Sequence, residues 1–141
     1  MAARNKILII GIGRLGAMLA NRASQRGENV IVVDLKETAF ERLDDTFTGF
    51  KITGDATDIR TLESDCYITS VYEVIITTGD DNTNLFLAHL CAKIYGVPQV
   101  FVRFDDPDKS VLISGIPSIQ AIYPSDLSAK RFIALEAEGE K

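Results

Sequence analysis

Histidine is almost missing from this 141-residue chain, with His89 alone. It falls mid-helix beside core positions, which suits a structural residue better than a general base. Cysteine is scarce as well: Cys66 and Cys91 stand far apart with no CxxC, so neither a disulfide framework nor a zinc site is expected. Two buried free thiols in a reducing compartment fit that spacing. Basic charge is outweighed, 15 Lys and Arg against 20 Asp and Glu for a net −5, which argues against a nucleic-acid partner. No apolar run approaches the ~18 residues of a membrane span. The opening stretch, residues 1–6, leads straight into the short apolar run Ile7–Ile12, too brief for the core of a signal peptide, so none is expected. The motifs GxSxG, HExxH and GxxxxGK[ST] are also missing. No base, nucleophile and oxyanion donor set can be assembled, and no catalytic residue or metal ligand is expected.

What remains is the composition of one globular domain, 46% hydrophobic and 25% charged. Short Val- and Ile-rich runs suit strands buried on both faces: Lys6–Gly11, Asn29–Asp34, Phe50–Thr53, Glu73–Thr78, Gln99–Arg103 and a weaker Gln120–Tyr123. Helical patterns separate them. The first turns Leu15, Met18, Leu19 and Ala23 to one face and stops at Gly27 as a left-handed cap. Others are expected over Thr38–Thr46 with Phe40 and Leu43 inward, over Thr57–Asp65, and from a cap at Asp80 or Asp81 through Leu85, Ala88, Cys91, Ala92 and Tyr95 to Gly96. A fifth covers Asp108–Ser114 and the last runs from Ser125 to about Gly139. The alternation predicts an α/β fold: a doubly wound, parallel six-stranded sheet in the order 3-2-1-4-5-6, as a single domain plus a C-terminal helix.

Gly11-Ile12-Gly13-Arg14-Leu15-Gly16 is a complete GxGxxG that follows a strand and opens a helix. In that Rossmann-like context Gly11 permits the tight turn, Gly13 lets a pyrophosphate approach the backbone, and Gly16 lets the helix pack close to the sheet. A phosphate there meets unpaired N–H groups and the positive end of the helix dipole. Asp34, closing the second strand ahead of Leu35, stands at the spacing of a ribose-binding carboxylate. Its charge disfavours the 2′-phosphate of NADP. Arg14 opposes the dipole unless an anion is bound, so it is either a phosphate ligand or a solvated cation.

Three further segments face the same crevice. Gly54-Asp55-Ala56-Thr57 follows the third strand and can meet an adenine edge, while Thr57 or Asp58 can also cap the next helix. Thr77-Thr78-Gly79-Asp80-Asp81-Asn82-Thr83-Asn84 follows the fourth strand across the switch point, with Gly79 allowing close backbone approach, Asn84 able to project inward, and Asp80 or Asp81 able to cap the next helix. Arg103 either adds a cation to the mouth or pairs with Asp105 or Asp106.

Taken in order, these segments resemble the TrkA-N domain, also called the RCK N-lobe, of potassium transport regulators. The GxGRxG loop at 11–16, the Val32-Val33-Asp34 strand end, Gly54-Asp55-Ala56-Thr57, Thr78-Gly79-Asp80-Asp81 with Asn84, Arg103 with Asp106-Pro107, and Pro124 carry the resemblance. It implies a nucleotide-binding domain at 1–124 and, at 125–141, a dimer-contact helix and tail, without the family's C-terminal lobe. The ligand implied is an adenine nucleotide: NAD(H), or ADP, ATP or AMP. The partners implied are a membrane K+ channel or transporter subunit, further copies of the chain in a dimer or a ring of dimers, and a separate chain bearing the C-terminal lobe. The place implied is the cytoplasm, at the inner face of the membrane, and the role regulatory rather than enzymatic. Where the family often carries an acid after the proline, this chain has Ser125. The other classes weighed are a small NAD(H)-dependent oxidoreductase and an NADH-responsive redox sensor.

Overall fold

The structure is a computed structural model and describes residues 3–139. Six parallel strands form one sheet: β1 (Lys6–Ile10), β2 (Asn29–Asp34), β3 (Phe50–Thr53), β4 (Val71–Ile76), β5 (Gln99–Arg103) and β6 (Ile119–Ile122). Their order, β3-β2-β1-β4-β5-β6, is the doubly wound one expected from the alternation of elements. β2, β3 and β5 have the expected bounds. β4 lies two residues upstream of the expected Glu73–Thr78, because pairing with β1 stops at Ile76 and leaves Thr77 and Thr78 to form the crevice loop. β1 and β6 each end one residue short of expectation.

Alternate residues of the central strands feed two cores. Ile7, Ile9, Val30 and Val32 face α1 (Arg14–Gln25), while Leu8, Ile10, Ile31 and Val33 face the opposite layer. The inward side of α1 is Gly16, Ala17, Ala20 and Ala23. The expected stripe of Leu15, Met18, Leu19 and Ala23 is therefore corrected: Met18 is 68% exposed, and Leu15 and Leu19 are only half-buried. The reason is proximity. A Cβ on Gly16 would lie 2.1 Å from the Gly11 carbonyl oxygen, so the helix sits too close to the sheet for large side chains. α1 ends as expected at Gly27 (φ +80°), whose N–H reaches the Ser24 carbonyl at 3.0 Å while Glu28 N–H reaches Ala23 at 3.2 Å.

The remaining helices are shorter than the patterns suggest. Thr38–Thr46 is instead a tight 3₁₀ stretch, Glu37–Arg42, although Phe40 and Leu43 are buried as expected. Thr57–Asp65 reduces largely to a wide π turn at Thr61–Asp65. α2 (Asp81–His89) starts at Asp80, whose carboxylate accepts the Thr83 N–H at 2.9 Å, and runs into a wide turn at Leu90–Ile94 before Gly96. Asp108–Ser114 becomes a 3₁₀ stretch at Pro107–Ile113. His89 Nε2 donates to the Leu112 carbonyl at 2.8 Å, tying that stretch to α2. α3 (Pro124–Gly139) begins at the proline and buries none of its residues. No helix among the described residues is long and apolar enough to cross a membrane.

Two buried thiols and one half-buried carboxyl have measurable consequences. Cys66 and Cys91 are both buried, and burial pushes each thiol up to about 12, with Asp65 adding to the effect at Cys66 and Cys66 adding to it at Cys91. Thiolate is the reactive form. A chromogenic disulfide reagent at pH 8 should therefore modify neither thiol in the folded protein and both after denaturation. Burial also raises the Glu73 carboxyl above its ordinary range, Arg26 draws it partly back, and Glu28 pushes it up again. A carboxyl whose folded pKa is raised makes the fold lose stability as pH climbs through the window between its unfolded and folded values. Glu73→Gln should accordingly raise Tm at pH 7 and leave it unchanged at pH 3, as read by thermal melts at the two pH values.

Candidate functional site

The handover from β1 to α1 has no room to spare. Gly11 adopts φ +91°, and a Cβ there would lie 2.8 Å from backbone atoms of Thr77 and Thr78. Only glycine meets both conditions. Gly13 differs: its backbone is extended, and a Cβ would meet nothing within 4 Å, so what it leaves is open space above the loop. Gly13 is also the N-cap of α1, with no side-chain cap and no acid in the first turn. The N–H groups of Gly13, Arg14, Leu15 and Gly16 consequently lack acceptors within the helix. The helix presents about half a positive charge at this opening.

The Asp34 carboxylate shapes the loop from the side. Its Oδ2 accepts the Ile12 N–H at 2.8 Å and its Oδ1 accepts the Lys36 N–H at 2.9 Å. Arg42 Nη1 donates to the Ile12 carbonyl at 3.3 Å, so the Ile12 peptide is held at both ends. Arg42 was not singled out by sequence. It sits in the short 3₁₀ stretch after β2, where no motif spacing marks it.

These elements enclose a cleft of about 680 Å³ at the carboxyl ends of the strands, within the range usual for small-molecule sites. Of the residues expected at a site, Gly11, Ile12, Gly13, Asp34, Leu35, Gly54, Asp55, Ala56, Thr57, Thr78, Gly79 and Arg103 line it. Arg14 is exposed and stands outside the lining, as do half-buried Leu15 and buried Gly16 behind the loop. Thr77 and Thr83, from the run expected after the fourth strand, line the cleft too, and it also takes in Lys36, Thr38, Ala39 and Arg42, none of which the sequence reading placed there.

Asn84 does not project into the cleft. It is fully buried, with Nδ2 donating to the carbonyls of Thr78 (3.1 Å) and Arg103 (2.9 Å). Its Oδ1 accepts from the Thr78 N–H at 3.2 Å and from the Thr78 hydroxyl. It pins the ends of β4 and β5 together beneath the cleft floor. Arg103 combines its two readings: it lines the cleft and pairs with Asp105 at 3.2 Å. Asp55 accepts from the Thr57 hydroxyl at 2.7 Å and the Thr57 N–H at 2.9 Å, and those two bonds, in that order, hold its carboxyl below the ordinary range. Thr57 thus orients Asp55 rather than capping a helix.

The donor set suits an anion at the head of α1, hydroxyls beside Asp34 and a flat apolar group toward Val33, Ala39 and Ala56. The model of the TrkA-N domain matches residues 7–124. The chain belongs to the TrkA-N domain family. This TrkA-N chain is 31% identical over 135 residues to the Trk system potassium uptake protein TrkA of Streptomyces coelicolor, a match over 94% of this chain and 60% of that protein. It therefore spans about 60% of that relative's length. Among solved structures it is similar to the GsuK channel bound to NAD, with TM-score 0.81 and 25% identity over 96% of this chain and 24% of that one. The fold is also that of GsuK bound to ADP, with TM-score 0.78 and 24% identity over 94% of this chain and 34% of that one.

Because Asp34 holds the Ile12 amide, Asp34→Ala should speed hydrogen exchange at Ile12 by about tenfold, the order expected for losing one charge-assisted hydrogen bond. Amide-resolved exchange by NMR would show it, with the β1 amides Ile7–Ile10 unchanged.

Proposed function

We propose that this chain is the nucleotide-binding part of a regulatory subunit of a K+ transport system. It takes an adenine nucleotide, NAD(H) or ADP, ATP or AMP, in the cleft between β1, β2 and β4. The observation that carries this reading is the uncapped, acid-free start of α1 above the open space at Gly13, with the Asp34 carboxylate one strand away. Diphosphate and ribose are the two groups that such a pair of features recognises. The negative charge of Asp34 disfavours the 2′-phosphate of NADP. The relatives, potassium uptake proteins and a channel bound to NAD or ADP, support the same reading.

In this reading the chain is not an enzyme. It works through differential affinity, since a nucleotide shifts a regulatory assembly only if it binds one state better than another. Residues 1–124 form the binding domain, and residues from 125 onward form a helix that meets a second copy. Exposed Leu127, Phe132, Ile133 and Leu135 on α3 supply apolar surface for that contact; the tail at 140–141 lies outside the described residues. A dimer, or a ring of dimers, would face a membrane channel or transporter subunit from the cytoplasm.

Nucleotide titrations test this directly. NAD or ADP at a hundredfold over its Kd should stabilise the protein by about 2.7 kcal/mol, with no NADH oxidised in the presence of carbonyl substrates. Asp34→Ala should weaken adenosine-containing ligands by about tenfold or more. Phe132→Glu should convert dimer to monomer in sedimentation experiments. A chain that melts at the same temperature with and without every nucleotide would defeat the reading.

A further inference from the structure

Thr77 is a polar side chain of the cleft that the nucleotide reading leaves without a task. It follows β4 directly, is 4% exposed, and its hydroxyl has no hydrogen-bond partner among the described residues. Its surroundings are tightly drawn. The Thr77 N–H donates to the Ile10 carbonyl at 2.8 Å, and its own carbonyl lies 2.8 Å from where a Gly11 Cβ would stand. Its methyl is 3.1 Å from the corresponding point on Gly16. The residue is thus wedged between the first and third glycines of the loop while lining the cleft.

Valine has the same outline and would satisfy that packing. A hydroxyl buried without a partner disfavours the fold, so its presence calls for a partner that binding supplies. We infer that Thr77 is a diphosphate-specific contact: its hydroxyl turns about χ1 and donates to a phosphate oxygen of a nucleoside diphosphate seated at the head of α1. The turn is available because a threonine χ1 has three staggered wells, and a 120° step carries the hydroxyl from one to the next while methyl and hydrogen move with it. Diphosphate is the part of the ligand concerned, because Thr77 packs against the first and third glycines of the loop at the head of α1. The inference rests on the nucleotide reading and sharpens it. Adenosine reaches the Asp34 side of the cleft without meeting Thr77, whereas ADP and NAD bring the same diphosphate to it.

The test is calorimetry of the wild type, Thr77→Val, Thr77→Ser and Thr77→Ala with ADP and with adenosine, together with melts in the absence of nucleotide. Thr77→Val and Thr77→Ala should bind ADP about tenfold more weakly, the loss of one charge-assisted hydrogen bond. Their affinity for adenosine should not change, and Thr77→Ser should keep that of the wild type for ADP. Without nucleotide, Thr77→Val should melt about 3 °C higher, because the orphaned hydroxyl is gone. Equal ADP affinity in Thr77→Val and wild type would overturn the inference while leaving the nucleotide site standing. Equal losses for ADP and adenosine would also overturn it, since they mark a packing role. A wild type that binds neither ligand would remove the site itself.

Discussion

The ends of β1 and β4 meet where there is no space for a side chain, and the cleft exists because of that meeting. At Gly11 a single added carbon would collide with the backbone of Thr77 and Thr78, and at Gly16 it would collide with Gly11 itself. These contacts fix where α1 begins. They also fix which side of the sheet the loop faces and how deep the floor of the crevice lies. Larger residues at either glycine would push α1 away from the sheet, and the small inward face of Gly16, Ala17, Ala20 and Ala23 would no longer fill the gap.

Around that contact the rim is braced by side chains that accept backbone N–H groups. Asp34 holds Ile12 and Lys36, Asp55 holds Thr57, and Asp80 caps α2. Asp81 accepts the N–H groups of both Asp105 (2.8 Å) and Asp106 (2.9 Å), which joins the loop after β5 to the start of α2. Asn84 does the same below them with both ends of its amide. A chain with a net charge of −5 thus spends several of its acids on architecture at one end of the sheet. Loops held this way have less freedom to lose when something binds, and that saving appears as affinity.

The sheet was legible because its strands are short apolar runs between turn residues. The glycine loop and Asp34 were legible because strand, turn, helix and acid follow one another at fixed spacing. Helix α1 misled because Met18 and Leu15 are the large apolar residues of its pattern, while the approach at Gly16 admits only small ones. Asn84 misled because a polar residue near a crevice reads equally well as a ligand contact or as a strut, and only the positions of Thr78 and Arg103 decide between them. Arg42 carried no signal at all, and Thr77 was marked only as the first residue of the run after the fourth strand. Their importance comes from what lies opposite them in space.

Helix α3 has a consequence for how the molecule melts. With none of its sixteen residues buried, it adds nothing to either core and draws nothing from them. An isolated helix of that length is marginal in water. In dilute solution the segment should fray at temperatures where the sheet is still intact, so calorimetric and helix-sensitive signals part company. Cooperativity across the whole chain would then be a property of whatever covers α3, not of the single polypeptide.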